Sequence, residues 1–335
     1  MLCKLYEKIK EIIKEYYKIF VTFFIALILC TIEFPYYIEA PGGIVDIADR
    51  IEIKNSHKSK GSLNMAYVRE YKATIPTMII SKLNDDWNLI KRDMSDYNQT
   101  TEADYFRNRI LLKEANQSAV LVAYNNAGID VSLNNTKVYV TYVLKEANTD
   151  LEIGDQILEI NNKKINSKND IKLILADVSL DEVFEIKVIN DDKEYIRTAK
   201  LIKYMDSYIL GITIGQVSDI ETNPEIKFKF SDSEMGPSGG LMMSLAIYNA
   251  LTESDITNGK KVVGTGTIDA LGNVGSIDGV EYKIKGAVKE NADIFLVPSG
   301  ENYDEARKVI MDNSYSIELV PVDTFSEALE YLKSN

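Results

Sequence analysis

A serine sits between a proline and two glycines at Gly236-Pro237-Ser238-Gly239-Gly240, and an apolar run, Leu241-Met242-Met243-Ser244-Leu245-Ala246-Ile247, follows at once. The run reads as a helix whose first turn lies beside the serine. A hydroxyl there is a poor packing choice and a good mount for a nucleophile. Gly239 has no Cβ, so the backbone of a substrate can approach closely. The start of a helix offers N–H groups and a positive dipole end suited to a developing oxyanion. Gly236, Pro237 and Gly239 therefore form the expected substrate and oxyanion region around Ser238. What would activate the serine is less obvious, because the chain holds one histidine. His57 lies in the polar stretch Asn55-Ser56-His57-Lys58-Ser59-Lys60-Gly61 and reads as a solvated surface residue with no orienting partner.

A lysine can take the histidine's place. Residues 280–290 have helical spacing, and at about 100° per residue Val280, Ile284, Ala287 and Val288 share a face. Lys283 borders that face, whereas Lys285 and Lys289 point away from it. A lysine held away from water loses proton affinity and can serve as a general base. A Ser-Lys pair is a known variant of the triad logic. The residues alone leave a second reading open, in which Lys283 merely snorkels from the edge of a core.

The elements around these residues divide the chain. With 335 residues, 45% of them hydrophobic and 27% charged, it reads as globular with two or three folded units. A net charge of −13 argues against nucleic acid as a partner. One histidine, and two cysteines confined to positions 3 and 30, leave no His-rich zinc or iron site and no disulfide framework; a carboxylate-only calcium or magnesium site stays open, though no EF-hand pattern occurs, and no resident cofactor is expected. Gly264-x-Gly266 is no dinucleotide fingerprint, since Asp269 stands where its third glycine belongs, and no G-x-x-x-x-G-K-[ST] for ATP occurs.

Residues 19–32 carry no charge, five lysines precede them, and Tyr16, Tyr17, Phe34, Tyr36 and Tyr37 flank them. This predicts a single-pass membrane anchor with a cytoplasmic N-terminus and everything beyond about residue 35 outside the cell. A cleaved signal peptide would want a small-x-small site, and none is clear. A turn is expected at residues 39–43, a strand at 44–47 and a helix over 102–125. Farther along, Leu151-x-x-Gly154-Asp155-x-Ile157-Leu158-x-Ile160-Asn161 precedes a helix near 168–177 and a hairpin over 183–201. That run resembles a PDZ domain, a fold that binds an extended peptide as an added strand. The Gly-rich carboxylate-binding loop of that family is not evident.

Three blocks, Gly236-Pro237-Ser238-Gly239-Gly240, Gly264-Thr265-Gly266-Thr267-Ile268 and Ile277-Asp278-Gly279-Val280-Glu281-Tyr282-Lys283, resemble the motifs of the Lon protease catalytic domain, in order and at near-matching separation. The resemblance covers about residues 205–335. It implies Ser238 as nucleophile, Lys283 as base and Thr265 as the residue that helps place the lysine. Three positions depart from the pattern: Met235 stands for an acidic residue, Gly239 for alanine, and Asp278 for a glycine. As a whole the chain resembles the membrane-anchored, PDZ-containing Lon-like proteases of Gram-positive bacteria, the SepM-type, pheromone-processing group.

The expected fold is thus α+β: an N-terminal tail and transmembrane helix (1–35), a membrane-proximal α/β region (36–130), a PDZ-like domain (131–203) and a Lon-type proteolytic domain (204–335). The expected activity is that of an ATP-independent serine endopeptidase acting on peptides or proteins at the outer membrane face. Since Lon domains often form rings, the resemblance also raises a homo-oligomer. The rival from another class is a pseudoprotease that only binds peptides through the PDZ-like domain.

Overall fold

The computed structural model describes residues 2–91, 101–176, 179 and 182–335. The chain is α+β, and its contacts group it into two compact units: Met1–Gly42 with Val68–Asp93, and Gly43–Tyr67 with Met94–Asn335.

In the first unit the helix Leu2–Thr31 contains most of the segment expected to span a membrane. Among the described residues no helix is long and apolar enough to cross one. Charge is the reason. Lys14, Glu15 and Lys18 lie on the helix close to its apolar end, and the uncharged residues 19–31 extend only about 20 Å at 1.5 Å per residue. A bilayer core needs about 30 Å. Ile32, Phe34 and the tyrosines beyond lie outside the helix and do not lengthen it. The expectations of a transmembrane helix, of a single-pass anchor and of a catalytic domain outside the cell are therefore corrected.

The turn expected at residues 39–43 is also absent, since the strand Tyr36–Asp46 runs through Pro41. Proline cannot donate to a ladder. The strand meets this by pairing antiparallel with Asn88–Lys91 only over Tyr36–Glu39, which ends before Pro41.

The larger unit contains two sheets that matter for function. In one, Lys261–Gly264 lies between Ser62–Met65 and Ile294–Leu296, parallel to both, and Ile294–Pro298 pairs in turn with Glu318–Val322. Val262, Val263, Phe295, Leu296 and Val297 are fully buried, as expected of a parallel sheet covered on both faces. The helix Gly240–Leu251 is apolar on every side and buried from Gly240 to Asn249, which marks it as a central core helix. Its partners include the helix Thr101–Asn126, which matches the helix expected over 102–125.

The other sheet runs in the order Ile212–Thr222, Val131–Val143, Gln156–Ile160, Val183–Asn190, Lys193–Lys200 and Asn148–Thr149, with Lys163–Lys164 beside Gln156–Ile160. It has its own core, built on Val138, Val140, Leu151, Ile157, Ile160, Phe184, Ile186 and Val188. The Leu151 to Asn161 run now has a physical meaning. Its apolar positions fill this core, while Gly154 takes φ +101° so that Asp155 can turn inward. Asp155, with no exposure, accepts the Glu152 N–H at 2.8 Å and the Asn190 side-chain amide at 2.8 Å, and its carboxylate lies 3.3 Å from Arg197 Nε.

Candidate active site

Ser238 precedes the helix Gly240–Leu251, separated from it by the cap residue Gly239. It is half-buried, at the end of an irregular stretch from 229 to 239. The two strands Lys261–Gly264 and Thr267–Ile268 bracket Thr265 and Gly266. Lys283 stands in the second turn of the helix Val280–Lys289. That helix begins at Gly279, whose φ of +69° belongs to the left-handed region and suits glycine.

These elements bring the three expected residues together. The Lys283 Nζ donates to Thr265 Oγ1 at 3.2 Å. Thr265 Oγ1 in turn donates to the Ser238 carbonyl at 3.1 Å, and the Gly266 N–H donates to the same carbonyl at 2.8 Å. Thr265 is fully buried and its N–H bonds the Leu296 carbonyl at 3.0 Å, so the parallel sheet fixes its position. Lys283 is 4% exposed, deeper than a border position on a helical wheel suggests. Tyr282 and Gly286 are buried beside it, which widens the inner face of the helix to include the lysine.

The amides near Ser238 are more committed than the sequence reading assumed. The Gly240 N–H bonds the Pro237 carbonyl at 3.1 Å, and the Leu241 N–H bonds the Gly266 carbonyl at 3.1 Å. The first turn of the helix is thereby locked to the strand carrying Thr265. The N–H groups of Ser238 and Gly239 remain as the candidate donors to an oxyanion.

Of the three departures from the Lon pattern, two acquire a local explanation. A Cβ on Gly239 would come 2.8 Å from the Met65 sulfur, so a methionine occupies the space that an alanine would use. The obstacle is the far end of a flexible side chain. Gly239→Ala is therefore expected to fold with Met65 displaced, at a cost of about 1 kcal/mol; a thermal melt and peptide cleavage check this, and an unfolded variant would contradict it. Asp278 keeps an ordinary negative φ, because Gly279 alone supplies the left-handed residue of the turn. Its side chain is exposed. Its charge acts on Glu305, whose carboxyl is held above its ordinary value first by burial and then by Glu281 and Asp278.

Sequence reasoning missed the residues that hold the stretch before Ser238. Arg50 Nε donates to Glu234 Oε1 at 2.7 Å across 184 positions, and Glu234 Oε2 accepts the N–H and hydroxyl of Ser231 at 2.8 and 3.0 Å. Arg109 pairs with Asp232 at 3.0 Å. No local signal links these positions, so only the folded chain reveals them. His57 is exposed, as expected.

With this geometry in view, comparison with known proteins is informative. Residues 231–334 match the family model of the Lon protease (S16) C-terminal proteolytic domain. The match is to a proteolytic domain. It includes Ser238, Thr265 and Lys283. Over 192 residues the chain is 30% identical to the Lon protease of Campylobacter jejuni subsp. jejuni serotype O:2, covering 53% of this chain and 22% of that protein. Over 100 residues it is 34% identical to Lon protease 2 of Bacillus subtilis (strain 168), covering 30% of this chain and 17% of that protein. The chain thus spans about a fifth of the length of the Lon proteases it matches, and the likeness is to their proteolytic part.

Proposed function

We propose that the chain is a serine endopeptidase that cleaves peptides or proteins with a Ser-Lys dyad and needs no ATP for the reaction. The observation that carries this reading is the buried Thr265 hydroxyl, which bonds both the Lys283 amine and the Ser238 carbonyl. Likeness to the Lon proteolytic domain supports the serine-peptidase class.

In the reaction, Ser238 Oγ attacks the scissile carbonyl while the neutral Lys283 amine takes the hydroxyl proton. The N–H groups of Ser238 and Gly239 receive the oxyanion. Lys283 then gives its proton to the departing amine, which leaves an ester on Ser238. Water, deprotonated by the same lysine, releases the acid product and restores the hydroxyl. Thr265 is a positioning residue that keeps the amine on one trajectory.

Residues 131–203 are read as a PDZ-like module that presents an extended substrate segment. The resemblance to pheromone-processing Lon-like proteases points to peptides or proteins as substrates. The scaffold reading, in which the chain binds peptides without cutting them, keeps the PDZ-like module and abandons the dyad.

The pH dependence distinguishes a lysine base. A protonated amine cannot accept the serine proton, so kcat/KM should fall on the acid side and recover as pH rises. A rate that is flat from acid to alkaline pH, measured on a fluorogenic peptide, would be incompatible with this mechanism. So would peptide binding with no product at any pH.

A further inference from the structure

We propose that Arg50 and Glu234 form a latch that positions the nucleophile loop, a role that rests on Ser238 being the nucleophile. Four observations support it. The ion pair is short, 2.7 Å, and both side chains are largely shielded, at 26% and 19% exposure. Glu234 lies four residues before Ser238, and its second oxygen is filled by Ser231, so the carboxylate closes a turn as well as an ion pair. Burial raises the Glu234 carboxyl's proton affinity, yet the bonds from Ser231 and Arg50 outweigh it and hold its pKa below the ordinary value. The Arg50 carbonyl also accepts the Lys229 N–H at 2.8 Å, which ties the start of the loop to the same residue.

Between the latch and the serine stands Gly236, with φ +90° and open space where a Cβ would be. A glycine with that freedom at its α-carbon is the natural pivot of this segment. Without a clamp upstream, rotation there would swing Pro237 and Ser238 together. The Ser238 carbonyl is fixed by Thr265 and Gly266 on one side. The latch supplies a fixed point on the other, beside the longer 3.4 Å bond from the Gly236 N–H to the Asn108 carbonyl and the exposed Arg109–Asp232 pair. Arg50 is a suitable residue for this, since its planar guanidinium holds a direction that a lysine ammonium does not.

The two charged residues therefore act through loop geometry and touch no substrate. Displacements of about 1 Å at a reacting group can cost on the order of a hundredfold in rate. For Arg50→Gln and Glu234→Gln in the full chain we expect labelling of Ser238 by a fluorophosphonate, located by mass spectrometry, to slow at least about tenfold. Peptide kcat should fall in parallel while KM stays within about twofold. The double variant should be no slower than either single one, because both remove the same contact. Arg50→Lys should recover part of the rate. Thermal melts identify the folded fraction. Variants that label at the wild-type rate would overturn the latch, as would a loss that only follows unfolding. Wild-type chain that cleaves peptide while another residue takes the label would instead remove Ser238 as nucleophile, and the latch with it.

Discussion

Alanine in place of Ser238 or of Lys283 is expected to lower cleavage of a peptide substrate by the full chain at least about a thousandfold, with either change alone as damaging as both together. The lack of additivity follows from the mechanism, because an unactivated serine and a base without a serine are equally idle. The two positions should differ in stability. Ser238 is half-buried and alanine keeps its Cβ while removing only the hydroxyl, so Ser238→Ala should melt like the wild type. Lys283 is 4% exposed. Burying a charged or strongly polar group opposes folding, so Lys283→Met, similar in length and apolar, should match or exceed the wild-type melting temperature while remaining inactive. Loss of activity with gain of stability at one position marks a group retained for chemistry. Wild-type turnover in any of these variants would end the dyad reading.

A second large effect is expected in the sheet that contains Val131–Val143. Asp155 has no exposure, accepts bonds from Glu152 and Asn190, and faces Arg197 Nε, which is itself buried with no hydrogen-bond partner of good geometry. Removing Asp155 leaves Arg197 paired only with Glu152, at 2.8 Å, and strands the Glu152 N–H and the Asn190 amide that the carboxylate accepted, which costs about 3 kcal/mol. Asp155→Ala should lower the urea midpoint by a corresponding amount. Asp155→Asn should cost less, since its side-chain oxygen can still accept from Glu152. An unchanged midpoint in Asp155→Ala would show that the aspartate of the Leu-x-x-Gly-Asp run is dispensable to this sheet.

Residues close in sequence were legible before the structure, and residues that meet through the fold were not. The helix over 102–125, the hairpin over 183–201 and the Lys283 helix follow from local periodicity. Ser238, Thr265 and Lys283 lie in three short blocks whose order resembles Lon, and the fold brings them into one cluster. The burial of Lys283 was understated, because a wheel gives direction but not the depth added by Tyr282 and Gly286. The expected anchor fails because the flanking aromatics lie outside an apolar helical stretch that Lys14, Glu15 and Lys18 cut short. Arg50 and Met65 lie within residues 36–130, far in sequence from the three motif blocks. They reach the Ser238 loop only through tertiary contacts.

The strand Lys261–Gly264, held on both sides by parallel neighbours, runs directly into Thr265. Its amides open to solvent only when the central sheet does, so hydrogen exchange at residues 262–264 should proceed through global unfolding. For the proposed peptidase this has a consequence beyond geometry. The segment beside the proposed dyad is the last to become accessible, so under the proposed activity one copy could not digest another there while both stay folded. Autolysis would then fall on peripheral loops first and leave the proposed dyad intact in a trimmed chain.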